Sequence, residues 1–146
     1  MATVNVYLTF DGNCEEAFDF YKSAFGGDYN DLNRFGEMPS QKGMPPLSAE
    51  VQHKIMHVSL PISSETILMG SDSMPGMGSK IIMGNNFSIS IGVNSKEEAD
   101  KLFAVLSQGG KITMPLELTF WGAYFGMWTD RFGINWMINY DIPKDI

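Results

Sequence analysis

His57 is the side chain in this sequence best suited to acid–base chemistry, because an imidazole exchanges a proton near neutral pH. The other histidine, His53, precedes it by four residues. On a helix this spacing would place both imidazoles on one face, as in many zinc sites. The surrounding pattern predicts a strand instead, in which four residues span about 13 Å, too far for one ion. His57 is therefore either an acid–base residue or a structural histidine, and both interpretations stay open.

Cys14 is the single cysteine of the chain and lies where a helix is predicted to begin. A helix N-terminus favours the thiolate, the reactive form of this side chain. No base is adjacent in sequence, so we interpret Cys14 as a small, partly buried residue. The glutamate pairs at the predicted helix starts are Glu15 with Glu16 and Glu97 with Glu98. They complement the positive ends of the helix dipoles and are not interpreted as catalytic pairs.

The composition predicts one soluble, acidic globular domain. The chain has 146 residues, 44% of them hydrophobic, which is enough to bury a core without disulfide or metal support. Ten basic and seventeen acidic residues give a net charge of −7, which disfavours binding to nucleic-acid phosphates. No apolar run is long enough for a membrane span, and the N-terminal residues lack a signal-peptide pattern. With one cysteine as well, the expected location is cytoplasmic.

An internal repeat organises the chain into two similar halves. Segments 13–27 and 95–110 each begin with a helix-capping residue type, Asn13 and Ser95, followed three positions later by a glutamate. This arrangement predicts a reciprocal capping box. Apolar residues then recur at helical spacing, and each segment closes on a glycine pair that suits a helix end. Two amphipathic helices of about three to four turns are therefore predicted.

Strands are predicted on both sides of each helix from the alternation of apolar and polar residues. In the first half they span 4–10, 29–35, 54–62 and 66–71. In the second half they span 87–93, 111–118, 123–129 and 135–140. Both halves thus have the order strand, helix, strand, strand, strand, which predicts an α+β fold of two βαβββ modules.

Two stretches interrupt this regularity. Residues 36–50 contain three prolines and are either a surface loop or a flap over a pocket. Residues 73–86 are rich in glycine, proline and methionine, and they are the predicted linker between modules at about 1–73 and 85–146. Because each module is small for an independent core, residues 1–146 are predicted to form a single domain.

An ordered set of motifs carries a resemblance to a known family. The motifs are Tyr7-Leu8-Thr9-Phe10-Asp11-Gly12-Asn13, the helix at 17–26, Phe35-Gly36-Glu37-Met38-Pro39, Met56-His57-Val58, Met69-Gly70-Ser71-Asp72, Trp121-Gly122-Ala123 and Thr129-Asp130-Arg131-Phe132-Gly133-Ile134-Asn135-Trp136. With these motifs the sequence resembles the vicinal oxygen chelate superfamily of glyoxalases, bleomycin-resistance proteins and extradiol dioxygenases. The closer likeness is to its PhnB-like branch, and it covers nearly the whole chain.

The resemblance implies that each module contributes a curved four-stranded sheet with a helix on its convex side, and that the two concave sides enclose a cavity. The alternation assigns these residues to the faces under the helices: Val4, Val6, Leu8, Phe10, Met56, Val58, Leu60, Phe87, Ile89, Ile91, Trp136 and Ile138. The residues expected to line the cavity are Asn5, Tyr7, Thr9, His57, Ser59, Ser88, Ser90, Asn135, Met137 and Asn139.

Metal-dependent members of the superfamily hold a divalent ion with His or Gln on each module's first strand and Glu on each last strand. The resemblance places these positions at about Asn5 and Ser88, and at about Met69 and Met137. Thioethers are poor ligands for hard cations, and an amide with a hydroxyl cannot replace two anions. We therefore expect no metal and no other cofactor. A divalent metal would require ligand positions other than these.

The expected ligand-binding residues of the cavity are Asn5, Tyr7, His57, Met69, Ser88, Trp121, Tyr124, Trp128 and Met137, with His57 as the candidate catalytic residue. The aromatic members of this set would form an apolar wall with polar tips, although core packing explains each of them equally well. The eleven methionines of the chain suit an adaptable pocket, but cores also use methionine as a filler.

Three functions are consistent with these features. The first, which we favour, is a metal-free protein that binds a small apolar or aromatic molecule, as bleomycin-resistance relatives do by sequestration. The second is a lyase, isomerase or dioxygenase-type enzyme that uses His57 or a divalent metal. The third is a subunit that associates with other proteins, and the resemblance also points to a homodimer. Neither a nucleic acid nor a membrane is an expected partner.

Overall fold

The computed structural model describes residues 1–39, 43, 45–74 and 80–144, which divide into two compact units, Met1–Ile82 and Met83–Ile146. The elements of the first unit are β1 (Val6–Phe10), α1 (Cys14–Phe25), β2 (Asp31–Arg34), a 3₁₀ turn (Phe35–Glu37), α2 (Ala49–His53), β3 (Ile55–Pro61) and β4 (Ile67–Asp72). The elements of the second unit are β5 (Ile89–Gly92), α3 (Lys96–Leu106), β6 (Lys111–Leu118), β7 (Ala123–Thr129) and β8 (Asn135–Asp141). Both units contain the predicted βαβββ order, and the α+β fold is confirmed.

Each unit contains one mixed four-stranded sheet. The first has the strand order β1-β4-β3-β2, with β1 parallel to β4 and the other neighbours antiparallel. The second has the order β5-β8-β7-β6, with β5 parallel to β8. The first and last strands of each unit are therefore adjacent. This adjacency pairs Tyr7 with Met69 and Ser90 with Met137.

Helix α1 covers one face of the first sheet. Phe18 is fully buried, and its ring meets those of Phe10 and Tyr21 edge-on at centroid distances of 6.1 Å and 5.6 Å. Gly70 of β4 lies beneath this ring, and a Cβ atom there would come within 2.6 Å of Phe18. The strand thus has no side chain where the helix approaches most closely. The other buried residues of this face include Leu8, Val58 and Leu60.

Helix α3 covers one face of the second sheet in the same way. The indole rings of Trp128 and Trp136 stack with their planes 5° apart and their centroids 6.2 Å apart. Phe103 of α3 meets Trp128 edge-on at 5.2 Å. Gly126 lies beneath Phe103, where a Cβ atom would come within 2.9 Å of its ring. Both helices therefore pack an aromatic ring over a strand glycine.

A buried carboxylate joins the elements of each unit. Asp72, at the end of β4, accepts hydrogen bonds from the backbone N–H groups of Gly12 and Cys14 at 2.9 Å and 3.0 Å and of Ile55 at 2.9 Å. Asp130, after β7, accepts from two backbone N–H groups of its own turn and from the Trp136 indole N–H at 2.8 Å. Because hydrogen-bond donors satisfy each buried charge, Asp72 fixes the start of α1 and the first residue of β3, whereas Asp130 fixes the turn between β7 and β8 and the Trp136 ring.

Two strand starts and one helix cap differ from the sequence predictions. Val4 and Phe87 are 94% and 60% exposed and precede their strands, so their predicted place under the helices is wrong. Strand pairing begins only at Val6 and Ile89, and the same register continued to Val4 and Phe87 would reach residues that precede β4 and β8. Asn13 makes no side-chain cap hydrogen bond within the described residues, whereas the Ser95 hydroxyl accepts from the Glu98 N–H at 3.1 Å. At the start of α1, the Asp72 carboxylate accepts the backbone N–H of Cys14 in place of a capping side chain.

The predicted loop at 36–50 contains the start of an unpredicted short helix, α2. Its cap is Ser48, whose hydroxyl accepts from the Val51 N–H at 3.3 Å. His53 ends this helix, so the prediction that it shares a strand with His57 is wrong. Residues 40–42 and 44 of this loop, and 75–79 of the predicted linker, lie outside the described residues. No helix in the described ranges has the length and apolar character needed to cross a membrane.

Candidate functional site

The first open face is the side of the first sheet opposite α1. Strand register places Tyr7, Met69, Ser59 and Asp31 in one row across β1, β4, β3 and β2. Side chains in such a row project to the same side of a sheet. His57 lies two residues from Ser59 along β3 and therefore shares this face.

Tyr7 and His57 are the two predicted site residues that the first sheet brings together. Their rings stack with centroids 5.8 Å apart and planes inclined by 28°. The Tyr7 hydroxyl lies 3.5 Å from Nδ1 of His57. Because β4 lies between β1 and β3, the two rings meet above β4.

Asp31 of β2 completes this cluster from the opposite side of the imidazole. Its Oδ2 atom lies 3.8 Å from Nε2 of His57, and its Oδ1 atom accepts a hydrogen bond of 2.9 Å from the Asn33 amide. The sequence predictions did not include Asp31 or Asn33. The alternation of these two polar residues around Leu32 indicated a strand face, but it does not specify that β2 pairs with β3.

The other two predicted residues of the first unit have different surroundings. Met69 is half-buried in β4, beside Tyr7 in the row that crosses the first open face. Asn5 immediately precedes β1, and its Oδ1 atom accepts a hydrogen bond of 3.4 Å from the backbone N–H of Ile67. Asn5 therefore helps to align the beginnings of the two parallel strands.

The second open face is the side of the second sheet opposite α3. Register places Ser90, Met137, Met127 and Met114 in one row across β5, β8, β7 and β6. Met137 was predicted for the site, whereas the other two methionines were not. The row is the counterpart of the one on the first open face, but thioethers stand where that face has a serine and an aspartate.

Aromatic rings adjoin the methionine row. Trp121 lies in the turn between β6 and β7, is 53% exposed and packs against Phe125 with ring centroids 5.9 Å apart. Phe125 lies two residues from Met127 along β7 and therefore shares the second open face. Ser88, also predicted, immediately precedes β5 and is half-buried.

Trp128 and Tyr124 lie on the helix side of the second sheet, which corrects their expected place on the ligand-binding face. Trp128 is only 1% exposed and packs between Phe103 and Trp136. The Tyr124 hydroxyl donates to Asp100 of α3 at 2.5 Å, and this hydrogen bond raises the pKa of Tyr124 to about 12. Strict alternation along β7 puts Phe125 and Met127 on the open face in their place.

Cys14 is fully buried beside the Asp72 carboxylate, which accepts the Cys14 backbone N–H. Burial, and then the negative charges of Asp72 and Glu15, raise the pKa of the Cys14 thiol far above its ordinary value. A thiol in these surroundings stays protonated and is a poor nucleophile. The interpretation of Cys14 as a packed small residue agrees with this environment.

The family model of the Glyoxalase/Bleomycin resistance protein/Dioxygenase superfamily matches residues 3–138. The chain belongs to this superfamily. It is similar to Protein YjdN of Escherichia coli (strain K12), with 36% identity over 138 residues, which are 91% of each chain. It is also similar to the crystal structure of protein PA1353 from Pseudomonas aeruginosa, with 41% identity, a TM-score of 0.82 and coverage of 98% and 100% of the two chains. The PhnB protein from Bacillus cereus shares the fold at 24% identity and a TM-score of 0.73, with coverage of 95% and 99%.

The superfamily implies a divalent-metal site, and the residues at its expected positions do not fit such an ion. These positions hold an amide, a hydroxyl and two thioethers, and the Asn5 amide oxygen already accepts a backbone hydrogen bond. Hard divalent cations prefer carboxylate oxygens, and imidazole suits the transition metals. In the ranges that the structure describes, no three His, Cys, Asp or Glu side chains are grouped to hold a metal. The chemistry proposed for this chain therefore uses no metal.

Proposed function

We propose that this superfamily member binds a small, neutral, largely apolar molecule on its second open face without a metal. The observation that supports this proposal is the row of Met114, Met127 and Met137 beside Trp121 and Phe125. Thioethers are flexible and polarisable, so such a row adapts to ligands of different shape and makes favourable contacts with aromatic rings.

The exposure and charge of this face favour an apolar, uncharged ligand. Apolar side chains left exposed together in a folded chain commonly mark binding sites. The methionine row contains no ionisable group and ends in Ser90, which offers one hydroxyl for a polar end of the ligand. Lys111 and Glu117 flank the row on β6, opposite Thr129 and Phe125, and carry one charge of each sign.

A titration with Nile red, a neutral apolar dye, tests this proposal. We expect the dye to become more fluorescent on binding, and Met127→Gln to raise its Kd at least about tenfold, or ~1.4 kcal/mol. Met83→Gln is the matched control, because Met83 is an exposed methionine of the same unit outside the sheet. An unchanged Kd in a Met127→Gln, Met137→Gln double variant that remains folded would contradict the proposal.

Trp121 provides a second readout at the same face. Of the three tryptophans, Trp121 is exposed whereas Trp128 and Trp136 are buried. A ligand seated on the methionine row should therefore shift the emission of Trp121 and leave that of the buried pair unchanged. The shift should disappear in Trp121→Phe. A ligand-induced shift that persists in this variant would place the ligand elsewhere.

The His57-based enzyme is a second candidate function, and the contacts of His57 with Tyr7 and Asp31 favour it.

The homodimer stays a prediction. Strand β6 is an exposed sheet edge that carries Ile112, Met114 and Leu118, and such edges pair readily with another strand. Light scattering tests this prediction, and a monomer at micromolar concentration would contradict it.

A further inference from the structure

We propose that Tyr7, His57 and Asp31 form a proton-transfer site on the first open face, with the Tyr7 hydroxyl as the group that contacts substrate. This activity rests on the His57-based candidate function and uses none of the residues that are proposed to bind a ligand on the second open face. The three side chains come from β1, β3 and β2. Strand pairing, and not proximity in sequence, therefore assembles them.

The two imidazole nitrogens face different partners, and a single tautomer serves both. A proton on Nε2 points toward Oδ2 of Asp31, which lies 3.8 Å from Nε2, and leaves the Nδ1 lone pair for the proton of the Tyr7 hydroxyl, whose oxygen lies 3.5 Å from Nδ1. A carboxylate that closes on one imidazole N–H orients the ring, and the 3.8 Å contact places Asp31 within reach of that role. Asn33 in turn donates to Oδ1 of Asp31. Both contacts are longer than in a closed catalytic array, as is common before substrate binds.

The surroundings of the imidazole define the class of substrate. Among the described residues of the first sheet, the titratable groups that face it are Tyr7 from β1 and Asp31 from β2, whereas β4 contributes the uncharged Met69. The basic groups nearest in sequence are engaged elsewhere: Arg34 binds Glu15, and Lys54 donates to the Gly12 carbonyl. The carboxylate of Asp31 would repel an anion, so the site suits a neutral molecule. The stacked rings favour a planar one.

The proposed step is the removal of a proton from carbon. The substrate C–H proton passes to the Tyr7 oxygen as the phenolic proton passes to Nδ1 of His57. The electron pair of the broken C–H bond forms a new π bond in the substrate, and a bond to a leaving oxygen breaks. The oxygen departs with its electron pair, and the imidazolium returns its proton through Tyr7 to the product or to water. The step is an elimination, and it needs no oxidant or reductant.

The probe for this site is nitrobenzisoxazole, a neutral planar molecule whose C–H proton is removed by a base as its N–O bond breaks. The coloured cyanonitrophenolate product reports the rate. We expect the wild-type chain to react faster than free imidazole at equal concentration, and His57→Gln and Tyr7→Phe to lose about 100-fold in kcat, within the usual range for acid–base residues. His53→Gln and Tyr29→Phe are matched controls and should keep the wild-type rate.

Asp31 is a positioning residue, and a spectroscopic readout separates that role from a structural one. In Asp31→Asn, nitrogen NMR of His57 should show loss of the Nε2–H tautomer preference, with a fall in kcat and little change in KM. A wild-type rate in His57→Gln, or no rate above imidazole in the wild type, would overturn the proposal. Unfolding curves of each variant confirm folding. Nile red reports binding on the second open face, whereas nitrobenzisoxazole reports proton transfer on the first. A negative result in one assay therefore leaves the other proposal to be tested by its own assay.

Discussion

Nδ1 of His57 lies 3.5 Å from the hydroxyl of Tyr7, although the two residues are 50 positions apart in the sequence. The contact exists because β4 inserts between β1 and β3 and leaves both rings on the same side of the sheet. Tyr7 is 47% exposed, and helix α1 packs on the opposite face. Side chains in such a position contribute little to the core and are accessible to a ligand.

The stability of the fold should therefore depend little on this pair. We expect His57→Gln and Tyr7→Phe each to change the free energy of unfolding by less than about 1 kcal/mol, because partly exposed contacts are worth little. Trp136→Ala, in the buried core, should cost about 3–5 kcal/mol. Urea unfolding measures all three. A loss in His57→Gln as large as that in Trp136→Ala would assign His57 a structural role.

Asp72→Asn should destabilise the first unit strongly. An amide in place of this carboxylate removes the charge and turns one acceptor into a donor. It thereby leaves a buried backbone N–H of Gly12, Cys14 or Ile55 without a partner. We expect a loss of about 2–4 kcal/mol in urea unfolding, since an unsatisfied buried donor costs 1–3 kcal/mol and hydrogen bonds to charges are the stronger ones. Asp28→Asn, at an exposed carboxylate, is the control and should be nearly neutral.

The Cys14 thiol should be inert in the native protein. It is fully buried, and its pKa is raised by burial and by Asp72 and Glu15, so the reactive thiolate is scarce. A colorimetric thiol reagent should label the chain only at the rate of unfolding, and rapidly in denaturant. Fast labelling under native conditions, independent of the unfolding rate, would contradict the burial of this residue.

The ion pair of Glu15 with Arg34 should stabilise the fold above acid pH. Two hydrogen bonds from the Arg34 guanidinium, at 3.0 Å and 2.7 Å, hold the pKa of Glu15 below its ordinary value of 4.5. Because the folded pKa is the lower one, the stabilisation is present above pH 4.5 and disappears as the pH falls through the folded pKa.

The measurement for this pair is urea unfolding of wild type and Glu15→Gln across pH. Both groups are partly exposed, so the difference at neutral pH should be under about 1 kcal/mol after solvent screening. The difference should shrink toward zero in acid. A difference that is equally large in acid would show that the lost hydrogen-bond geometry, and not the charge, is responsible.

Most of the fold could be predicted from the sequence because its signals are local. The alternation in β1, β7 and β8 and the apolar spacing in α1 and α3 are properties of adjacent residues. The errors arose where a residue distant in the sequence determines how a helix is capped or where a strand begins. Asn13 resembles a cap in sequence, but Asp72, which follows it by almost sixty residues, satisfies the start of α1. Val4 alternates correctly but has no opposing residue in β4.

The site was predicted only in part for the same reason. His57 and Tyr7 were identified from residue type and parity, but Asp31 enters through the pairing of β2 with β3, which no local pattern specifies. Tyr124 and Trp128 were assigned to the ligand-binding face as aromatic residues, without the strand parity that places them under α3. The same parity identifies Phe125 and Met127 as the residues that replace them.

The central claim is that the open faces act through their own side chains and not through a metal. Elemental analysis of the gently purified full chain, paired with Nile red titrations before and after dialysis against EDTA, tests it most directly. Because the thioether, amide and hydroxyl donors at the superfamily positions suit no hard divalent ion, we predict no stoichiometric metal and an unchanged Kd. One nickel, zinc or iron ion per chain, with dye binding lost on chelation and restored by that metal, would contradict the account.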